Sequence, residues 1–150
     1  MPQSYVCSFH HIVFSTRQHL RHITADLRQR LYDYMGGIIA RENGRLMAAG
    51  GTEDHVHLLV SINPQTALSE LLRVLKANAS KWVHETFPGK RDFAWQDGYG
   101  AFSVSFSNVD RVKEYIAGQA EHHRRLSFEE EFMEFLKRHQ IPYDERYIWR

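Results

Sequence analysis

The order of periodic segments predicts an α+β domain, one antiparallel sheet with helices on one face in ferredoxin-like topology. Three observations carry this expectation. Short segments rich in β-branched and aromatic residues alternate with long segments of helical period. Two short segments, 46–51 and 55–62, are separated only by Thr52, Glu53 and Asp54, the spacing of a hairpin. Each long helical segment carries a single apolar stripe, which suits packing against a sheet. The chain of 150 residues reads as one domain, 1–150, with a core over about 5–125 and a C-terminal helix and tail over 127–150.

In chain order, residues 5–15 read as the first strand, and 16–22 as a polar, basic loop. Thr24 is placed to cap a helix over 25–42, with Leu27, Leu31, Tyr34, Ile38 and Ile39 as its stripe and Asn43-Gly44 at its end. The hairpin strands follow, and Pro64 breaks the chain. A helix over 67–86 presents Leu68, Leu71, Leu72, Leu75, Ala79, Trp82 and Val83 on one side, and Pro88-Gly89 stops it. Residues 93–100 read as irregular, and 101–106 as the fourth strand. Ser107 with Asp110 forms a capping pattern for a helix over 107–124, and Ser127 with Glu130 another for a helix over 127–139. The tail 141–150 is expected to pack as an extended segment.

Composition bounds the function only loosely. Apolar residues make up 43% and charged residues 25%, as in ordinary globular chains, and the net charge is +1. No global basic field marks a nucleic-acid binder, so charge placement decides. The one cysteine, Cys7, has no internal disulfide partner and reads as a small buried residue. There is no signal peptide and no run of about 18 apolar residues, which places the chain in the cytoplasm, away from membranes.

The sharpest local pattern is His55-Val56-His57 at the start of a strand. Residues two apart in a strand share a face. Both imidazoles therefore project together, while Val56, Leu58, Val60 and Ile62 line the opposite side. Two imidazoles on one face begin a metal site without completing it. Tyr115 and Gln119, four apart on a helix, supply further pieces on one helical face. The Gln119 amide oxygen can join two imidazoles on a divalent cation. A phenol titrates near about 10, and a nearby cation lowers that value and polarises a phosphate. A tyrosine that attacks a phosphodiester conserves the bond energy as phosphotyrosine, which suits cutting and rejoining DNA.

Several other residues have two readings each. Arg73, Lys76, Ser80 and His84, with Lys81 beside them, form either the solvated side of an amphipathic helix or a phosphate-tracking stripe. Arg17, Arg21, Arg124 and Arg125 can extend that stripe as DNA contacts. Trp95 and Tyr99 either pack or stack on unpaired bases. Of His10 and His11, one points inward and one outward. His122 and His123 read as solvated or phosphate-facing rather than as ligands. Glu53-Asp54 either tunes the histidine pair or caps a turn.

These residues together resemble the single-tyrosine HUH transposases of small insertion sequences, the IS200-like family, including the REP-associated tyrosine transposases. The resemblance runs through Asp54-His55-Val56-His57-Leu58-Leu59-Val60, Phe93-Ala94-Trp95-Gln96, Gly98-Tyr99 and Phe102-Ser103-Val104-Ser105. It continues through Tyr115-Ile116-Ala117-Gly118-Gln119, His122-His123 and the C-terminal segment. It implies the HUH endonuclease-type, RRM-like fold and a homodimer. It implies cleavage of single-stranded DNA with hairpin or palindromic ends, leaving a 5′-phosphotyrosine and a free 3′-OH with Mg2+ or Mn2+. By the same resemblance His55, His57 and Gln119 are metal ligands and Tyr115 the nucleophile. Two other classes compete. One is a domesticated or non-catalytic ferredoxin-like nucleic-acid-binding module. The other is a two-histidine phosphoesterase, which requires two His-x-Ser/Thr patterns, and His57-Leu58-Leu59 does not provide one.

Overall fold

A computed structural model describes residues 4–123 and 126–149. Four strands form one antiparallel sheet: β1 (Phe9–Ser15), β2 (Arg45–Gly51), β3 (His55–Ser61) and β4 (Gly100–Val104). Their spatial order is β2-β3-β1-β4. With α1 (Ala25–Arg41) between β1 and β2 and α2 (Leu68–Thr86) between β3 and β4, this is the expected βαββαβ topology.

The alternation within β3 decides what each layer covers. Val56, Leu58 and Val60 join Ile12, Phe14 and the stripes of α1 and α2 in the main core. Each such side chain removed from water contributes roughly 1.5–3 kcal/mol. His55, His57 and Leu59 face the other way, yet every residue from His55 to Val60 is buried. A second layer therefore covers the histidine face. It consists of α3 (Val109–Ala117), the short α4 (Gln119–His122) and α5 (Phe128–Arg138). Leu59 packs there with Val109 and Ile116, and Val13 and Phe102 pack with Phe128, Phe132 and Leu136. The two long helices keep to one face, and the C-terminal helices enclose the sheet from the other.

Local chemistry explains most boundaries. Asn43 adopts φ 63, and the amides of Asn43 and Gly44 donate to the carbonyls of Ala40 and Ile39, which closes α1 as a Schellman turn. Ser127 caps α5 as expected, its Oγ accepting from the Glu130 amide at 3.2 Å.

Other expectations are corrected. Thr24 caps no backbone amide; its hydroxyl donates to the Asp26 carboxylate. Ser107 and Asp110 form no cap, because residues 106–108 make a 3-10 turn and α3 starts at Val109. The helix expected over 107–124 is interrupted at Gly118. The first strand begins at Phe9, which leaves Cys7 outside it and exposed rather than buried. The tail ends in a turn, not an extended segment, with Ile148 and Trp149 against the α5 cluster. Among the described residues no helix is long and apolar enough to cross a membrane.

Glycine at position 50 sets how closely α3 approaches the sheet. A Cβ there would lie 2.4 Å from the Ile116 carbonyl oxygen. Gly50→Ala is expected to push α3 outward and destabilise the fold by roughly 1–3 kcal/mol, read as a lower urea midpoint. Gly37, on the exposed side of α1, has nothing within 4 Å of its added Cβ. Gly37→Ala should instead stabilise by roughly 0.5–1 kcal/mol through helix propensity. Equal midpoints for the two variants would contradict this account of the α3 contact.

Candidate metal and nucleophile site

The start of β3 and the inner sides of α3, α4 and α5 converge on one buried point. His55 and His57 are each 0% exposed, and their Nε2 atoms both face it. His55 Nε2 lies 3.0 Å from Gln119 Oε1, and His57 Nε2 lies 2.9 Å from Glu131 Oε1. The helix break at Gly118 leaves Tyr115 and Gln119 on the same side, one turn apart. All four residues of the expected constellation are thus brought together within one chain.

The centre of the site is a residue that sequence reasoning missed. Glu131, on α5, is 1% exposed. Its Oε1 faces the imidazoles of His57 and, at 3.2 Å, His123. Its Oε2 accepts hydrogen bonds from the Tyr115 hydroxyl and, at 3.2 Å, from Gln119 Nε2. A cue existed in the sequence. Glu131 is spaced three and four residues from Phe128 and Phe135, within the apolar stripe of α5. Its place after Glu129 and Glu130 in the first turn, where acidic residues suit the helix dipole, masks it.

Donor chemistry fits a divalent cation. One ligand atom from each of His55, His57, His123 and Glu131 can be drawn from a set lying within 4.8 Å of one another. Imidazole and carboxylate together are a common donor set for divalent transition ions. His123, expected to be solvated, joins this group. His122 lies on its rim, with Nε2 3.3 Å from the Tyr115 hydroxyl.

Behind the two histidines stand different partners. Asp54 Oδ1 lies 2.7 Å from His55 Nδ1, and Thr52 Oγ1 lies 3.0 Å from the same nitrogen. The same Asp54 oxygen also accepts from the Thr52 hydroxyl at 3.0 Å, so Asp54 both meets His55 and braces the turn, whereas Glu53 turns outward to Arg28 at 3.6 Å. Behind His57 is His11, with Nε2 2.8 Å from His57 Nδ1. His11 is the inward member of the His10-His11 pair, lying on the site face.

Protonation follows from burial and from Glu131. Burial lowers His57 to about 4 and His11 to about 3. Burial raises the Tyr115 phenol above its ordinary value, and the hydrogen bond and charge of Glu131 raise it further. Burial opposes the charge of Glu131, but hydrogen bonds from His123 and His57 overcome it and hold the carboxyl well below its usual range. The same anion raises His123 against its own desolvation. At neutral pH the proton therefore rests on Tyr115 and the negative charge on Glu131.

Access is from two sides. A cleft of about 370 Å³ opens on Tyr115 and Glu131 and is lined by Arg111, Arg138, Phe135 and His139 among others. A second, of about 390 Å³, reaches His123 and Asp54 and carries Arg21 and Arg28. Arg21 is therefore near the site. Arg17, Arg73, Lys76 and Ser80 share a shallow groove with Trp95 and Tyr99, outside the histidine cluster. Within it the Lys76 ammonium donates to the carbonyls of Gln96 and Gly98 at 2.7 and 2.8 Å, and burial lowers its pKa to about 8. Arg73 pairs with Glu70, Lys81 with Glu85, and His84 Nε2 lies 2.7 Å from the Phe93 carbonyl oxygen. Trp95 is a core residue, packed edge-on against Phe14 and Phe93. Arg124 and Arg125 lie outside the described residues.

Comparison with known proteins bears on the family and the fold. The family described as "Transposase IS200 like" matches residues 4–119. The transposase for insertion sequence element IS200 of Salmonella typhimurium is 26% identical over 118 residues, covering 75% of this chain and 76% of that one. The ISDra2 transposase TnpA of Deinococcus radiodurans is 22% identical over 115 residues, covering 73% and 82%. A solved chain from Deinococcus radiodurans assigned as a transposase superposes with a TM-score of 0.65 at 22% identity, over 79% of this chain and 96% of that one. A REP-associated tyrosine transposase solved with a REP hairpin superposes with a TM-score of 0.61 at 13% identity, over 82% and 73%. From the match over 4–119, the chain belongs to the IS200-like transposase family.

Proposed function

We propose that this transposase cuts and rejoins single-stranded DNA through a 5′-phosphotyrosine on Tyr115, with a divalent cation at the histidine cluster. One observation supports this most directly: the Tyr115 hydroxyl and the imidazoles of His55 and His57 converge on the same buried carboxylate, Glu131. A binding module has no use for a half-buried tyrosine hydroxyl beside a metal-donor set. His55, His57 and Gln119 are the proposed ligands, with Glu131 Oε1 and His123 as additions.

The chain's own residues divide the work. Asp54 orients His55 from behind, as outer partners of metal ligands do. Glu131 Oε2 accepts the Tyr115 hydroxyl and is positioned to receive its proton as the phenolic oxygen attacks phosphorus. The new O–P bond forms as the bond to the 3′ oxygen breaks, and that oxygen leaves as a 3′-OH by taking up the proton that Glu131 received. Attack by another 3′-OH reverses the step, rejoins the strand and frees Tyr115. A bound Mg2+ or Mn2+ supplies Lewis-acid polarisation of the phosphate and stabilises the phenolate. Arg21 beside the site, and Arg17, Arg73, Lys76 and Ser80 in the α2 groove, are the proposed DNA contacts, with Lys81 and His84 further along α2. Arg124 and Arg125 remain proposed contacts from sequence. A hairpin or palindromic DNA end is the proposed partner, by likeness to the relative solved with a REP hairpin. The protein is proposed to act in the cytoplasm as a homodimer, with each tyrosine serving its own subunit's histidines.

Incubation with single-stranded DNA bearing the element's end and Mn2+ should give a covalent adduct on a denaturing gel. Tyr115→Phe should give none, and an adduct that persists in that variant sinks the nucleophile assignment. His57→Ala should abolish cleavage while DNA binding persists. Glu131→Gln keeps the shape and removes the charge. It should weaken Mn2+ binding by about tenfold or more, on the scale of lost supporting groups in metal sites, and slow adduct formation. Wild-type rates and affinity in Glu131→Gln would remove that residue from the site.

A further inference from the structure

The two histidines of the strand are not backed alike, and the difference points to a residue outside the family's His-x-His pattern. His55 has a carboxylate behind it, and His57 has His11. We infer that His11 is a positioning residue for His57, holding through one imidazole–imidazole hydrogen bond the ring orientation in which His57 presents Nε2 to a metal and supporting the Nδ1-protonated tautomer when it does. This rests on the metal-assisted function proposed above.

The geometry is specific. His11 sits on β1 opposite Leu59, one step along the same sheet face from Val13, which is paired with His57. The diagonal neighbour across two antiparallel strands is within reach of a long side chain. His11 Nε2 reaches His57 Nδ1 at 2.8 Å, with the ring centroids 5.0 Å apart and tilted by 36°. His11 is 3% exposed and His57 is 0% exposed. Phe102, Tyr115 and Phe135 meet the His11 ring edge-on, at 6.4, 6.0 and 5.1 Å between centroids. The ring is thereby held on several sides, and its partner's ring is held through it.

Chemistry explains why an imidazole serves here. A neutral imidazole has one N–H and one lone pair. His57 binds a metal through Nε2 only when the proton sits on Nδ1, and His11 Nε2 can then accept that proton's hydrogen bond. With no metal, His57 Nε2–H donates to Glu131, and His11 Nε2–H can donate to Nδ1 instead. An imidazole answers both states, whereas a carboxylate could only accept and would bury a second negative charge beside Glu131.

Nitrogen-15 imidazole spectra of the metal-free wild-type protein test the contact directly. His57 should occupy one tautomer, with the proton on one nitrogen of the His11–His57 pair only. His11→Phe keeps an aromatic ring among Phe102, Tyr115 and Phe135 but removes the partner atoms. It should shift the His57 Nδ1 resonance, which loses its hydrogen-bond partner, and weaken Mn2+ binding, measured by calorimetry without DNA, by about 10–100-fold. His11→Gln, which can still donate or accept, should recover most of that loss. Mixed tautomers in the wild-type protein, or wild-type Mn2+ affinity in His11→Phe, would overturn the inference. Absence of Mn2+ binding by the wild-type protein would count against the metal site itself, so the two failures are distinguishable.

Discussion

A carboxylate taken out of water costs several kcal/mol unless its lone pairs are filled by good donors. Glu131 fills them with His57, His123, Gln119 and Tyr115, which come from β3, α3, the α4 segment and its flank. The second layer of the fold therefore has a polar anchor as well as an apolar one. Phe128, Phe132 and Leu136 hold α5 against Val13 and Phe102, and Glu131 fixes its rotation. Without donors from the sheet, Glu131 would be an unpaired buried charge. Without α5, the histidines would face solvent.

The same anchor ties the fold to the chemistry. α3 can bring Tyr115 near His57 only because Gly50 lets the Ile116 backbone approach β2 so closely. Gly118 then interrupts the helix while Gln119 stays one turn below Tyr115. The hairpin loop supplies the outer support, since Asp54 meets His55 immediately after the turn. Its backbone carbonyl also accepts the Thr16 amide at 2.8 Å, which joins that loop to the end of β1. Ring orientation, helix docking and loop geometry are thus set by separate contacts that surround one carboxylate.

Much of this was legible in the sequence, where regular periods carry it. The two-residue period of β3 placed both histidines on one face, and four-residue spacing placed Tyr115 beside Gln119. The stripes of α1 and α2 located the main core to within a residue or two at most ends. What stayed hidden depends on which element covers which. Periodicity shows one buried face of β3; that its other face is also buried follows only once α3–α5 are docked. Glu131 is one of three successive glutamates; its place in the apolar stripe of α5 is a weak cue, and tertiary packing is what separates it from the two that are solvated. Cys7 lies in an apolar-looking run that β1 does not use. The cationic stripe on α2 could be read as a face, but not as groups already engaged with Glu70, Glu85 and backbone carbonyls.

The state of Tyr115 bears on how the proposed reaction would be controlled. Without a cation, the phenol is pushed away from ionisation by burial and by the charge that accepts its hydrogen bond. The arrangement that holds the Tyr115 hydroxyl in place therefore also keeps it protonated. A divalent ion held by His55 and His57 would supply positive charge that offsets Glu131 and favours the phenolate. The buried carboxylate then serves both conditions with its two oxygens: Oε1 turned to the imidazoles, Oε2 to the phenol. In the proposed reaction Tyr115 would then become reactive only once the donor set is filled, since the hydrogen bond that positions its hydroxyl is made to the same carboxylate that faces the imidazoles.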